Sequence, residues 1–484
     1  MRTQISVRRL AWLPFLGSFA ALVLILGTGP ALANVTVTQI SSDPFTNSSS
    51  QHATEVEPDM LAAGSTIVAA VQQGRFFDGG ASDLGFATST DGGATWTSGS
   101  LPGITTFDGG GPYAAISDPA VAFDPKHGVW MISGLAITDT SGVVGAAMTA
   151  SRSTDGGLTW ANPVNVATAS GSSSLDKDWI VCDTHPASTH YGNCYGEYDD
   201  NGAGNRIYMA TSADGGLTWH IVRTGSTGLG GQPLVQPGGT VVVPYLSNTG
   251  QIRSFRSTNG GSSWSSSTLV ATVQAHTVAG NLRTSPLPSA AIDSAGTIYV
   301  AWQDCRFQSG CAGNDIVMST SANGTSWSTV SRITSDGGDH FIPGIGVDVT
   351  TAGSTAKIGV TYYRYPTSSC TASTCQLTVG YTSSTNGGTS WSAPTQLAGP
   401  MSLSWLASTN QGVMVGDYIA TSITGGQAWP AIVIASAPTG STFNEALFVP
   451  AGGLAITGGA RLAAATPLVT SGHQPAPSVP PRSR

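Results

Sequence analysis

One octet, Ser153-Thr154-Asp155-Gly156-Gly157-Leu158-Thr159-Trp160, recurs through this chain and limits what it can fold into. Versions of it stand at 89–96 (STDGGATW), 212–219 (SADGGLTW), 257–264 (STNGGSSW) and 384–391 (STNGGTSW), with a copy one residue short at 321–327 (SANGTSW). Asp or Asn before Gly-Gly is hairpin-turn chemistry, because the short polar side chain bonds amides two residues on and glycine accepts φ > 0. The flanking hydroxyls close the turn and the tryptophan supplies an apolar plug. The first serines lie 64, 59, 45, 64 and 63 residues apart, a period that predicts repeated supersecondary units.

Three short strand-like segments precede each octet and a fourth follows it. The first of each set opens on Pro or Asp, at Glu57-Pro58, Asp118-Pro119, Asp178, Gln232-Pro233, Pro288 and Ile342-Pro343. A seventh opening, Gly416-Asp417-Tyr418-Ile419, has no octet after it. That last unit has only three strands of its own, and Val35–Ile40 (VTVTQI) is expected to complete it from the N-terminal end.

The octet resembles the Asp-box, or bacterial neuraminidase repeat, of sialidases and related β-propellers. The resemblance runs from about Glu57 to about Phe448. It implies an all-β fold: a β-propeller of four-stranded blades with every Asp-box turn on one face. Seven strand openings favour seven blades; six boxes leave six as the alternative. The segments DKDWIVCD (Asp176–Asp183), VAWQDCRF (Val300–Phe307) and GDYIAT (Gly416–Thr421) are similar to those of exported sialidase-like repeat proteins of undefined activity. The boxes themselves are read as fold staples.

Residues 1–33 have the layout of a secretory signal: Arg2, Arg8 and Arg9, then the apolar run Leu10–Leu26, then Ala31-Leu32-Ala33 with cleavage expected after Ala33. The apolar run is long for a signal, and an uncleaved anchor is the alternative. Losing this segment takes the formal charge from −8 to −11. With three lysines in the whole chain, the clustered cations that nucleic-acid binding requires are missing. In an exported protein the close pairs Cys182/Cys194, Cys305/Cys311 and Cys370/Cys375 predict three local disulfides, and no cysteine–histidine spacing suits a metal. The single propeller domain is expected over 34–452, with a Pro/Ala/Ser-rich disordered tail over 453–484.

Strand direction predicts two faces, boxes on one and the candidate site on the other, at the mouth of the central channel. Connections between second and third strands bring Arg75, Glu197, Asp304, Arg306 and Arg364 to that mouth. First-strand starts add Glu57, Asp59, Asp118, Lys177, Asp178, Arg283 and Asp417. The sialidase resemblance implies three arginines gripping a substrate carboxylate, a tyrosine nucleophile activated by a glutamate, and an aspartate acid/base. Carried onto this chain, the arginines are Arg283, Arg306 and Arg364, with Arg75 as a substitute. The glutamate is Glu197 and the aspartate Asp118; Asp304, Asp178 and Asp417 line the substrate site. Tyr362 shares a strand face with Arg364 and is the expected nucleophile, with Tyr363 as the rival. The Arg-Ile-Pro motif of sialidases is absent; Arg75 stands in Gly74-Arg75-Phe76-Phe77. The expected protein is a secreted monomeric exo-α-sialidase-like hydrolase acting on a terminal acidic sugar, free of cofactor and metal. The alternative is a propeller that binds glycan or protein without turnover.

Overall fold

The computed structural model describes residue 1 and residues 35–139, 143–459 and 461–462. The expected signal segment and most of the expected tail lie outside the described residues. Within them the chain is almost wholly antiparallel β-structure, with helix confined to four 3₁₀ turns.

The strands pair antiparallel into two eight-stranded sheets, two four-stranded sheets, one five-stranded sheet and two two-stranded pairs, within which successive strands form four-stranded meanders. Their first strands are Glu55–Ala63, Ala115–Asp124, Leu175–Cys182, Leu234–Val235, Ser289–Ile292, Asp339–Val347 and Ala420–Thr424. The seventh meander continues through Gln427–Ala435 and Glu445–Pro450 and takes its fourth strand from Val37–Gln39, in the register Val37↔Pro450. The expected completion by the N-terminal segment is therefore present. It also explains six boxes among seven meanders. A box occupies the turn between third and fourth strands, and in the seventh those two strands come from opposite ends of the described chain.

The box geometry follows from its residue types. Asp155 Oδ1 accepts from the Ser153 hydroxyl at 2.8 Å and from the amides of Leu158 and Thr159 at 3.1 and 3.0 Å, and Oδ2 accepts from the Thr159 hydroxyl at 2.6 Å. Ser153 Oγ in turn accepts from the Gly157 amide at 2.9 Å, and the Trp160 indole donates to the Gly157 carbonyl at 3.1 Å. Gly157 holds φ 84°, which only glycine adopts cheaply, and packs against Val68 of the preceding meander. Thr88 of that meander donates to the Gly157 carbonyl at 2.6 Å, so this box staples two meanders as well as closing its own turn.

The apolar core is distributed as layers between successive meanders. Leu84, Phe86, Ile116, Trp130 and Trp160 fill the layer between the first and second. Tyr299, Ile316, Ile345, Val360, Tyr362 and Trp391 fill the layer between the fifth and sixth. A further layer joins the seventh meander to the first through Trp429, Ala431, Leu447, Ile67 and Val71. Both faces of a meander are thus buried, and ordinary strand positions point into layers.

All three expected disulfides are present: Cys182–Cys194 ties the first two strands of the third meander, while Cys305–Cys311 and Cys370–Cys375 close second-to-third-strand loops. The C-terminal end of the described chain differs from expectation. Leu454–Ala455 pairs with Gln427–Ala428, and Arg461–Leu462 with Ser390–Trp391, so backbone pairing continues past Gly452. Among the described residues no helix is long and apolar enough to cross a membrane.

Candidate functional site

Four first strands carry the same irregularity. Register shifts fall between Val56 and Asp59, Ser117 and Ala120, Asp176 and Asp178, and Phe341 and Gly344. Within them Glu57, Asp118, Lys177 and Ile342 take φ of 57°, 53°, 34° and 50°. A bulge re-aims a side chain away from the layer that its neighbours fill. Left-handed backbone at residues other than glycine costs about 1–3 kcal/mol each and persists where surroundings fix it. The sequence signal is the proline after Glu57, Asp118 and Ile342, since proline removes a ladder donor and marks a strand irregularity.

Three of these bulges assemble an acidic cluster. Glu57 accepts from the Gln72 amide, and Gln72 Oε1 accepts from Arg75 Nη1 at 2.9 Å. Arg283 forks onto Asp417, with Nε–Oδ1 at 2.9 Å, and its Nη2 lies 4.0 Å from Glu57 Oε1. Asp59 accepts from the Val121 amide at 2.7 Å. Tyr418 donates to the Pro119 carbonyl at 2.9 Å, its ring edge-to-face with Trp179 at 5.2 Å. Asp118, Asp178 and Glu197 are fully buried, with no hydrogen-bond partner among the described residues on any of their carboxylate oxygens. The Ser133 hydroxyl near Asp178 and the Gly231 amide near Glu197 close no hydrogen bond to them.

Electrostatics bind these residues into one unit. Burial, then the charges of Asp118 and Asp417, push Glu57 up to about 8, with Arg283 and Arg75 pulling the other way. Burial lifts Asp59 to about 6. Burial also holds Asp178 and Glu197 well above the usual carboxylate range, Lys177 opposing both shifts. The Tyr418 phenol is held well above its ordinary value by burial and then by Glu57, Asp118, Asp178 and Asp59. Six acids, Glu57, Asp59, Asp118, Asp178, Glu197 and Asp417, meet three cations, Arg75, Lys177 and Arg283. Carboxyls raised like those of Glu57 and Asp59, among neighbouring acids and cations, are the equipment of acid–base chemistry.

The expected site residues divide. Asp118, Asp178, Asp417, Glu197, Arg283 and Arg75 belong to this cluster. Arg306 does not: it forks onto Asp304, at 2.8 Å through Nε and 2.7 Å through Nη2, and donates to the Thr272 carbonyl. Asp304 is further engaged by the Trp302 indole at 3.1 Å. Arg364 pairs with Asp336 at 3.3 Å. Among the described contacts, Arg283, Arg306 and Arg364 share no partner. Each has its own carboxylate.

Tyr362 sits in the layer between the fifth and sixth meanders, its ring edge-to-face with His340 at 5.2 Å and over Gly380, where a Cβ would fall 2.4 Å from the ring. Alternation did place Tyr362 and Arg364 on one face, but that face meets the His340–Asp336 pair. Tyr363 exchanges hydrogen bonds with the Val433 backbone. The tyrosine among the carboxylates is Tyr418, just ahead of the last first strand. Also unforeseen is the hairpin Ala407–Thr409/Gly412–Met414, which props the cluster: Val413 O accepts the Arg283 amide at 2.7 Å and Val415 O the Glu57 amide at 3.2 Å. Among the described residues no group of acids, histidines or cysteines is arranged to hold a metal ion.

Solved structures similar to this chain include sialidases. An intramolecular trans-sialidase from Ruminococcus gnavus aligns at 15% identity over 68% of this chain and 94% of that one, with a TM-score of 0.45. A Trypanosoma rangeli sialidase aligns at 12% identity over 85% and 57%, with a TM-score of 0.42. A protein of unknown function from Dyadobacter fermentans aligns at 16% identity over 71% and 98%, with a TM-score of 0.46. No family model and no curated protein matches the chain.

Proposed function

We propose that the chain is an exported seven-bladed Asp-box propeller whose axial acidic cluster is the acid–base centre of a glycoside hydrolase. The ring is supported by the layer between the seventh and first meanders and by contacts of Glu55–Ala63 with both Ala115–Asp124 and Ala420–Thr424. The box of the first meander packs Gly93 on Trp429 of the seventh, as the second box packs on the first meander. Export is supported by the signal-like leader and the three disulfides.

The observation that carries the catalytic reading is Asp118: fully buried, held at φ 53°, with both oxygens unbonded beside Glu57 and Tyr418. A group kept in so costly a state is suited to a task other than packing. Glu57, with its pKa near 8, holds a proton at neutral pH and donates it to the glycosidic oxygen. Asp118 receives the proton of the attacking water, the two-carboxylate scheme of most glycosidases. The cluster's excess of acids favours a neutral glycan. The terminal acidic sugar that the sialidase resemblance implies has to displace Asp417 from Arg283 before it can be gripped.

The test is a panel of fluorogenic glycosides, neutral hexosides beside a sialoside, incubated with the secreted protein and with Asp118→Asn. Release of a neutral sugar that the variant abolishes supports the reading; sialoside release alone restores the acidic substrate. Binding to immobilised glycans with no release from any member makes the protein a non-catalytic glycan-binding propeller. That second reading is favoured by the depth at which Asp118, Asp178 and Glu197 are buried.

A further inference from the structure

The cluster contains one lysine, and its surroundings are unlike those of an ordinary ion pair. Lys177 is 4% exposed and lies in the bulge of Leu175–Cys182. Its ammonium stands 3.8 Å from the centre of the Tyr418 ring and 4.9 Å from that of Trp179. Its hydrogen bond is to the Asp178 carbonyl, at 3.3 Å, and among the described residues it makes no ion pair within 4 Å. An ammonium has three donors; this one has a single hydrogen bond and two aromatic rings beside it. Such a cation is desolvated, which strengthens its attraction to the rings and extends the reach of its charge.

We propose that Lys177 is the positioning residue of this centre: its ammonium, caged by Tyr418 and Trp179, fixes the Tyr418 ring among the carboxylates. The inference rests on the hydrolase reading above. Beside that geometry, the lysine opposes the upward shifts of Asp59, Asp178 and Glu197. A direct salt bridge would commit one carboxylate to it. With the ammonium held by the rings, the buried oxygens of Asp178 and Glu197 have no hydrogen-bond partner among the described residues. The left-handed φ of 34° is what turns the lysine inward, since ordinary strand backbone there sends the side chain into a layer.

The chain has three lysines, Lys126, Lys177 and Lys357, so lysine-selective ¹³C labelling yields a spectrum that single substitutions assign. In the wild-type protein the Lys177 Cε resonance and its protons are expected well upfield of the other two, moved by ring currents, and to return toward them in Tyr418→Leu. Lys177 resonances at the ordinary lysine position overturn the cage. The second arm is ¹³C-carboxyl titration of Asp and Glu in Lys177→Met, a neutral side chain of similar length. Asp59, Asp178 and Glu197 are expected to ionise at higher pH than in wild type; superimposable titrations overturn the electrostatic role. If Lys177→Met does not fold, Lys177→Arg keeps the charge but not the caged geometry, and is expected to keep the titrations while shifting the Tyr418 ring resonances. With a turned-over substrate in hand, kcat of Lys177→Met should fall at least about tenfold with KM little changed. An upfield Lys177 signal in a protein with no hydrolytic activity sinks the hydrolase reading and leaves the cage standing.

Discussion

Asp118 and Trp160 are both buried, and substitution separates the proposed acid–base role of the first from the packing role of the second. Trp160 plugs a layer and its indole closes a turn. Trp160→Ala should therefore cost roughly 3–5 kcal/mol in urea or thermal unfolding, as aromatic truncations in cores do, and leave hydrolysis unchanged well below the melting temperature. Asp118 contributes nothing to packing that Asn cannot match in volume, and its unbonded oxygens are a standing desolvation cost. Asp118→Asn should keep or raise Tm while lowering turnover by about a hundredfold or more. Loss of Tm without loss of turnover in that variant shows a structural carboxylate and removes the proposed base. Only half of this contrast is legible in the sequence. The tryptophan announces its role by recurring. Asp118 is visible as the acid ahead of a proline, but nothing in the string shows that its oxygens go unbonded.

At the scale of elements, the readable parts are those set by local chemistry. The Asp-box turns, most first strands and the three disulfides each follow from residues close in sequence and fall where those residues predict; the last first strand begins at Ala420, past its expected opening at Gly416–Ile419. The tyrosine of the site does not. Period-two alternation correctly put Tyr362 beside Arg364, yet which residues of a strand meet a layer and which meet the acidic cluster depends on long-range stacking. The hairpin at Ala407–Met414 escaped for the same reason. It belongs to no repeat, and its role is to carry Val413 and Val415 to Arg283 and Glu57 from far along the chain. The Cys305–Cys311 loop supplies the test at this scale. Arg306 and Asp304 satisfy each other next to it, apart from the acidic cluster. Replacing both cysteines by serine should cost about 2 kcal/mol by the loop-entropy argument and leave turnover intact. A large loss of activity in that double variant returns Arg306 to the site.

For the whole molecule the decisive quantity is how many carboxyls it buries, because they tie stability to pH. Burial raises Glu55 to about 7, Glu57 to about 8, Asp59 to about 6 and Asp83 to about 8, against ordinary values of 3.8 for Asp and 4.5 for Glu. In the folded protein these groups hold protons that the unfolded chain releases. Their contribution to stability is full below the unfolded values, near pH 4, and is lost as pH rises through the window to about 8. The box aspartates act in the opposite sense. The Thr95 hydroxyl above all lowers Asp91 to about 2, and the Thr159 hydroxyl likewise lowers Asp155 to about 2. Their contribution is present above 3.8 and lost as pH falls toward 2. The two sets place the optimum on the acid side of neutrality, around pH 4–5. Scanning calorimetry should show Tm falling by at least ~5 °C between pH 5 and pH 8, the drop expected from losing a few kcal/mol. The seam of the fold should yield first on the alkaline side. There the Glu55 carboxylate accepts from Ser41, from Gln73 and from the Leu447 amide at 2.9 Å, and so joins the N-terminal segment and the first and seventh meanders. Hydrogen exchange at Leu447 and along Val37–Gln39 should accelerate before exchange in the third or fourth meander as pH rises toward 8, after correction for the intrinsic pH dependence. Uniform acceleration across all seven meanders shows that the seam is no weaker than the rest and that Glu55 does not govern it.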